Sequence, residues 1–188
     1  MPDFPRLETA RLILREITEA DAPDLLRIHG NAEHMAFFGA DPLSTLAQAQ
    51  QLVATFAGWR TQANPGTRWA LELKERPGLV GTCGLFAWNR NWKKCATGYE
   101  LAPEATGMGL MREALAAVFA WGFETMGLNR IEAQVHEDNA ASRRLLARLG
   151  FAEEGRLRQV AFWAGRHHDL LQYALLACDW PMHERATR

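Results

Sequence analysis

Apolar and charged residues alternate over 11–17 (RLILREI), with Leu12 and Leu14 on one side, which predicts a strand. From Ala22 the apolar spacing lengthens, through Leu25, Leu26 and Ile28, so a helix follows, with Thr18 or Asp21 as its cap. A second helix is predicted over 42–62, with Ser44 as cap and Leu46, Leu52, Val53, Phe56 and Trp59 as apolar positions. Asn64-Pro65-Gly66 reads as a turn. Strands are expected over 69–73 and 79–88, joined by a hairpin turn at Glu75-Arg76-Pro77-Gly78, and over Lys94–Leu101, ended by Pro103. The clearest helix covers 109–126, where Leu115, Val118, Phe119, Gly122, Phe123 and Met126 form one stripe and Gly127 is the stop. Arg130–His136 alternates again, Asn139 opens a helix through Leu145, Leu146 and Leu149 to Gly150, and strands follow from Phe151 and over 169–176. The order β-α-α-β-β-β-α-β-α-β-β predicts an α/β (α+β) fold on a mixed sheet, as one domain over 7–178 with tails at 1–6 and 179–188.

Composition agrees with a packed domain. The 188 residues are 48% hydrophobic and 23% charged, and a chain of this size buries about 70% of its unfolded surface. Lys plus Arg number 21 against 22 Asp plus Glu, a net charge of −1. A protein that neutralises many phosphates carries a basic excess, so nucleic acid is not the expected partner. No apolar run reaches the length of a membrane span, and the N-terminus lacks the pattern of a secretory signal. Cys83, Cys95 and Cys178 form no disulfide framework or zinc pattern, and Cys83 reads as a small core residue. A cytoplasmic protein without a metal is the expectation.

Chemistry concentrates at 98–114 (GYELAPEATGMGLMREA). A strand runs through a short turn into Gly107-x-Gly109 and then the long helix. Glycines permit a tight bend and close approach of backbone to a ligand. The first helical turn offers N–H groups and partial positive charge, which suits a pyrophosphate. Thr106 would add a hydroxyl donor and Arg112 a cation. The same glycines also suit a plain strand-to-helix turn. The GxGxxG fingerprint and the P-loop signature are both missing.

Further along come His136-Glu-Asp-Asn-Ala-Ala-Ser142, then Arg143 through Leu149-Gly-Phe151, then Glu154-Gly-Arg-Leu-Arg158. With Leu7-Glu-Thr-Ala-Arg-Leu-Ile-Leu-Arg15 and Gly165 before Asp169, these segments resemble the GNAT superfamily of N-acetyltransferases, and within it the RimJ/RimL-like branch that acetylates protein N-terminal amines. The resemblance implies a GNAT-like acyl-CoA N-acyltransferase fold and acetyl-CoA as co-substrate. It places the pyrophosphate over Gly107, Met108, Gly109, Leu110, Met111 and Arg112, and the pantetheine along Tyr99, Glu100 and Leu101, where two strands splay. It sets Asn139 on the pantetheine arm and Ser142 near the thiol. One departure is Glu104, where the branch often has Gln or Arg; the expectation is that it faces solvent. A homodimer is common in the branch.

The implied reaction is direct attack of a primary amine on the thioester. An amine with pKa of about 10 is charged at neutral pH, so a base is required. Glu100 and His136 are the candidates, although each also reads as a structural residue, an outward salt-bridge partner and a strand-edge histidine respectively. A free backbone N–H near Leu101 would stabilise the oxyanion. Ser142 is the candidate acid, because the tyrosine that many relatives carry in the following helix is replaced by Leu145 and Leu146. Phe37, Phe38 and Trp88 are expected to line the acceptor site. Arg143, Arg144 and Arg148 read as a solvated helix face, Trp121 as packing, and His167-His168 as a polar turn. The acceptor is a protein N-terminus or a small amine such as a polyamine or amino-sugar. A non-catalytic acyl-CoA-binding module is the rival.

Overall fold

A computed structural model describes residues 3–180. Strands β1 (Leu7–Glu8) and β2 (Leu12–Glu16) lead into helices α1 (Ala22–His29) and α2 (Leu46–Gly58). Three strands follow, β3 (Thr67–Leu73), β4 (Arg76–Asn89) and β5 (Lys94–Leu101), then helix α3 (Leu110–Glu124). Strand β6 (Arg130–His136), helix α4 (Ala140–Arg148) and the hairpin β7 (Ala152–Trp163) and β8 (Arg166–Leu176) complete the chain. The eight strands form one sheet in the order β1-β2-β3-β4-β5-β6-β8-β7. Every pairing is antiparallel except that of β5 with β6.

The expected elements are present, with local corrections. The opening strand is split: Thr9 accepts from Leu12 N–H and turns the chain between β1 and β2. The cap of α2 is Thr45, one residue beyond Ser44, and it makes a reciprocal capping box with Gln48. The hairpin after β3 turns at Lys74 and Glu75, because Leu73 already pairs with Arg76. The supposed tails are partly core. Trp69 Nε1–H donates to Pro5 O and its ring meets Phe4, while Trp180 is buried against Phe119 and Phe123. The remainder of the expected tails, residues 1–2 and 181–188, lies outside the described residues.

Helices cover both faces of the sheet. On one face lie α1 and α2, meeting the β-strand side chains of Arg68, Thr82 and Glu100. On the other, α3 packs Trp121 against Trp69 and Gly122 against Leu85. Gly122 allows a close approach here, since a Cβ would stand 2.8 Å from Leu85 Cδ1 and the leucine tip would have to shift. Cys83 and Cys95 are buried thiols whose pKa burial pushes up to about 12, so neither is a nucleophile at neutral pH. No helix among the described residues is long and apolar enough to cross a membrane.

Candidate active site

The site begins where the sheet opens. Strands β5 and β6 pair in parallel only from Lys94–Arg130 to Ala96–Glu132. Beyond that, β5 stays with β4 to Leu101, whereas β6 follows β8 to His136. A wedge results. Ala102 N–H donates to Val80 O on the β4 side, and strand alternation therefore turns the N–H and C=O of Thr97, Tyr99 and Leu101 into the wedge. These groups line a polar edge suited to an amide-bearing arm.

The Gly107-x-Gly109 turn lies beyond the end of β5. Both glycines adopt φ +76°, and Gly109 is the N-cap of α3. A Cβ at Gly107 would meet nothing within 4 Å, and one at Gly109 would meet only Arg11 Nη2 at 3.7 Å. The turn thus exposes bare backbone. The N–H groups of Leu110 and Met111 precede the first helical bond, Glu113 N–H to Gly109 O. This cradle fits a pyrophosphate. Leu110 and Met111 bury their side chains in the core, whereas Met108 and Arg112 are exposed. The Thr106 hydroxyl donates to Pro103 O rather than outward. Glu104 is half exposed and pairs with Arg27 at 2.5 Å, so its charge is compensated.

A clamp that pattern reading missed holds this turn. Arg11 donates from Nη1 to Met108 O at 3.0 Å and from Nε to Glu113 Oε2 at 2.7 Å. Glu113 also accepts from Thr9 Oγ1 and Arg11 N–H. Burial alone would raise the Glu113 pKa, but the bonds from Thr9 and Arg11 outweigh it and hold the carboxyl below the usual range. Thr9 and Arg11 lie about a hundred positions from Glu113, so no local pattern links them to it.

On the α4 side of the wedge, Tyr99 and Ser142 hydroxyls stand 2.5 Å apart. Asn139 supports Ser142 by capping α4, its Oδ1 accepting from Ser142 N–H at 3.0 Å. Burial pushes the Tyr99 phenol up to about 12, so it stays protonated. A tyrosine hydroxyl thus stands beside Ser142, supplied by β5 rather than by α4.

The α1 side of the wedge is built differently. Glu100 is buried there, with Arg68 and Thr82 donating to its two oxygens. His29 Nε2–H donates to the same carboxylate at 3.2 Å. Burial would raise the Glu100 pKa, yet Arg68, His29 and Thr82 outweigh it and hold the carboxyl below the usual range. Phe38 packs edge-on against His29, with ring centroids 4.9 Å apart. Phe37 stacks on His136 at 5.0 Å, and His136 also meets His168 and Trp163. Trp163 Nε1–H donates to Ala36 O, and Ala164 N–H to Asp41, so the segment between α1 and α2 is latched to the β7–β8 hairpin.

Phe37, Phe38, Glu100 and His136 are thus gathered at one end of the sheet, with Tyr99, Leu101, Asn139 and Ser142 across the wedge. Trp88 is not among them. It stands five positions from Cys83, the partner of Tyr99, about 15 Å along β4 toward the other end of the sheet. There it carries Arg90 over its ring. His168 is no polar turn: it is 6% exposed within the ring cluster. Arg143 is held by Tyr173 and by Glu137 O.

A family profile described as an acetyltransferase (GNAT) domain matches residues 11–152. The chain is 38% identical to the uncharacterized N-acetyltransferase YoaA of Bacillus subtilis (strain 168), across 92% of this chain and 97% of that one. It is 37% identical to the ribosomal protein uS5-alanine N-acetyltransferase of Escherichia coli (strain K12), across 93% and 92%. Its fold is similar to that of Mycobacterium smegmatis RimJ in complex with CoA-disulfide, with TM-score 0.80 at 24% identity, covering 93% of this chain and 88% of that one. A split parallel pair, a glycine turn at a helix N-terminus and full-length likeness to named N-acetyltransferases agree, and the chain belongs to the GNAT family of N-acetyltransferases.

Proposed function

We propose that this N-acetyltransferase takes its acetyl group from acetyl-CoA and gives it to the N-terminal amine of a protein. One observation carries the choice of acceptor. The α1 side of the wedge is walled by Phe37, Phe38, His136 and Trp163, and its buried carboxylate, Glu100, is already neutralised by Arg68. A polyamine carries several charges and favours unpaired carboxylates; a chain terminus carries one charge beside apolar groups. The likeness to a ribosomal protein uS5-alanine N-acetyltransferase supports the same reading.

Bound acetyl-CoA supplies the thioester. The cradle of Gly107 to Met111 holds its pyrophosphate and the open edge of β5 its pantetheine. The acceptor ammonium gives a proton to His136 Nδ1 as the Asp138 N–H swings away from that nitrogen, and His136 passes the proton to solvent. The amine nitrogen then attacks the carbonyl carbon, with Leu101 N–H facing the developing oxyanion. As the C–S bond breaks, Ser142 protonates the thiolate. The second nitrogen proton leaves to water, and Tyr99 restores the Ser142 proton in exchange with solvent. Glu100 has both oxygens engaged by Arg68, Thr82 and His29, which supports a role in fixing β5 rather than in proton transfer.

Calorimetric titration with acetyl-CoA is the first test, on the native chain and on Gly107→Glu. Thiol release is then followed with a peptide bearing a free N-terminal alanine, its N-acetylated form, spermidine and an amino-sugar. The free peptide is expected to give the highest kcat/KM. A higher value with spermidine overturns the acceptor, and binding without thiol release from any amine overturns turnover.

A further inference from the structure

His168 is the one buried member of the ring cluster without a part in the chemistry above, and its hydrogen bonds dictate more than packing. It sits in β8 with its ring stacked on Trp163, centroids 3.6 Å apart and planes 7° apart. Its Nε2 lies 3.2 Å from Trp163 O. Its Nδ1 lies 3.3 Å from His136 Nε2. A carbonyl oxygen only accepts, so His168 Nε2 carries the hydrogen. In the neutral ring Nδ1 is then an acceptor, and the hydrogen between the rings belongs to His136 Nε2. His136 is left with its lone pair on Nδ1. That assignment agrees with the other contact at this nitrogen, where Asp138 N–H donates to Nδ1 from 3.2 Å and must swing aside when Nδ1 takes a proton. Beginning from one carbonyl, the tautomers of both rings follow.

We infer that His168 is a positioning residue for acetyl transfer, fixing the tautomer of His136 so that Nδ1 is the nitrogen that takes the acceptor's proton. This rests on the reading of His136 as the base. The logic is that of any histidine base whose second nitrogen is held by a third group. The groups that meet the His136 ring are Phe37 from the segment after α1, Trp163 from β7, His168 from β8 and Asp138 from its own turn. Two of these titrate. The Asp138 carboxylate, 3.8 Å from Nδ1, receives the new Nδ1–H when His136 is charged. A hydrogen on His168 Nδ1 would set two donors against each other across this contact.

The deciding measurement is the ring 15N spectrum of the native protein at pH 8, with His136 assigned through His136→Gln. The expected pattern is a protonated Nε2 and a bare Nδ1; a protonated Nδ1 overturns the inference whatever the activity. Kinetics supply the second arm. His168→Leu keeps a buried apolar side chain but removes the acceptor, and kcat is expected to fall about 10-fold with the KM for acetyl-CoA unchanged, the range seen when groups orienting a histidine are lost. His168→Asn, which returns an acceptor oxygen, is expected to restore most of kcat and the native pH–rate profile. Equal loss in both variants, or a pH profile unmoved by His168→Leu, means that the residue only packs. Full activity of His136→Gln overturns the base, and with it the catalytic consequence of His168, while leaving the spectrum as expected.

Discussion

Two regions meet at the wedge. On the side of α3 and α4, the groups come from 99–112 and 139–142, with Tyr99 beside Ser142 and the glycine turn following β5 directly. On the side of α1 and α2, His29, Phe37, Phe38, Arg68, Glu100, His136, Trp163 and His168 come from five separate segments. The first region depends on backbone conformation and helix capping, which neighbouring residues impose. The second depends on buried ion pairing and ring packing, which exist only once the sheet is assembled. Under the proposed function, the first region holds acetyl-CoA and the second the acceptor.

The comparison breaks hardest at Arg68. Arg68→Ala leaves Glu100 buried without its cation, and removing one partner of a buried pair costs about 3–5 kcal/mol. Urea unfolding at pH 7 should read that loss. The pH dependence is diagnostic. Native Glu100 has a pKa below its unfolded value of 4.5, so its contribution is present above about pH 4.5 and is lost as pH falls through the folded pKa. In the variant, protonating Glu100 relieves an unpaired charge, and the gap between the two proteins should narrow below that pH. A gap independent of pH would mean that the pair is not the source.

On the other side, Gly107→Glu places a carboxylate and a Cβ at φ +76°, and acetyl-CoA binding should weaken more than about 100-fold, or 2.7 kcal/mol. Its fold should persist, because the Cβ meets nothing within 4 Å; circular dichroism checks this. Ser142→Ala should lower kcat about 100-fold, the lower end for loss of an acid, since the neighbouring Tyr99 hydroxyl remains. An unchanged kcat removes Ser142 as the acid.

Smaller effects sharpen the contrast. Arg11→Ala releases the Met108 carbonyl and should raise the KM for acetyl-CoA about 10-fold, with acceptor KM constant. Asp41→Ala unlatches the segment after α1 and should do the reverse, raising acceptor KM about 3-fold with acetyl-CoA KM constant. If both variants moved both constants equally, the two regions would not be separable.

The sequence by itself determined the elements and the glycine-turn side of the wedge. Periodicity marked the strands and helices, because burial of one face repeats at fixed intervals along the chain. The glycine turn and the Asn139 cap were legible because positive φ and helix capping are set within a few residues. Boundaries slipped at Thr45 and at the Lys74–Glu75 turn, where adjacent residues are equally able to do the job. The tertiary structure alone decided the rest. It paired the Tyr99 phenol with Ser142, set Arg11 against Glu113, sent Trp88 to the far end of the sheet and drew His168 into the core. In each case the decisive partner lies more than thirty positions away or on another strand. A side chain's chemistry there follows from where the sheet splits and which segments fold over the gap, and no local spacing encodes that.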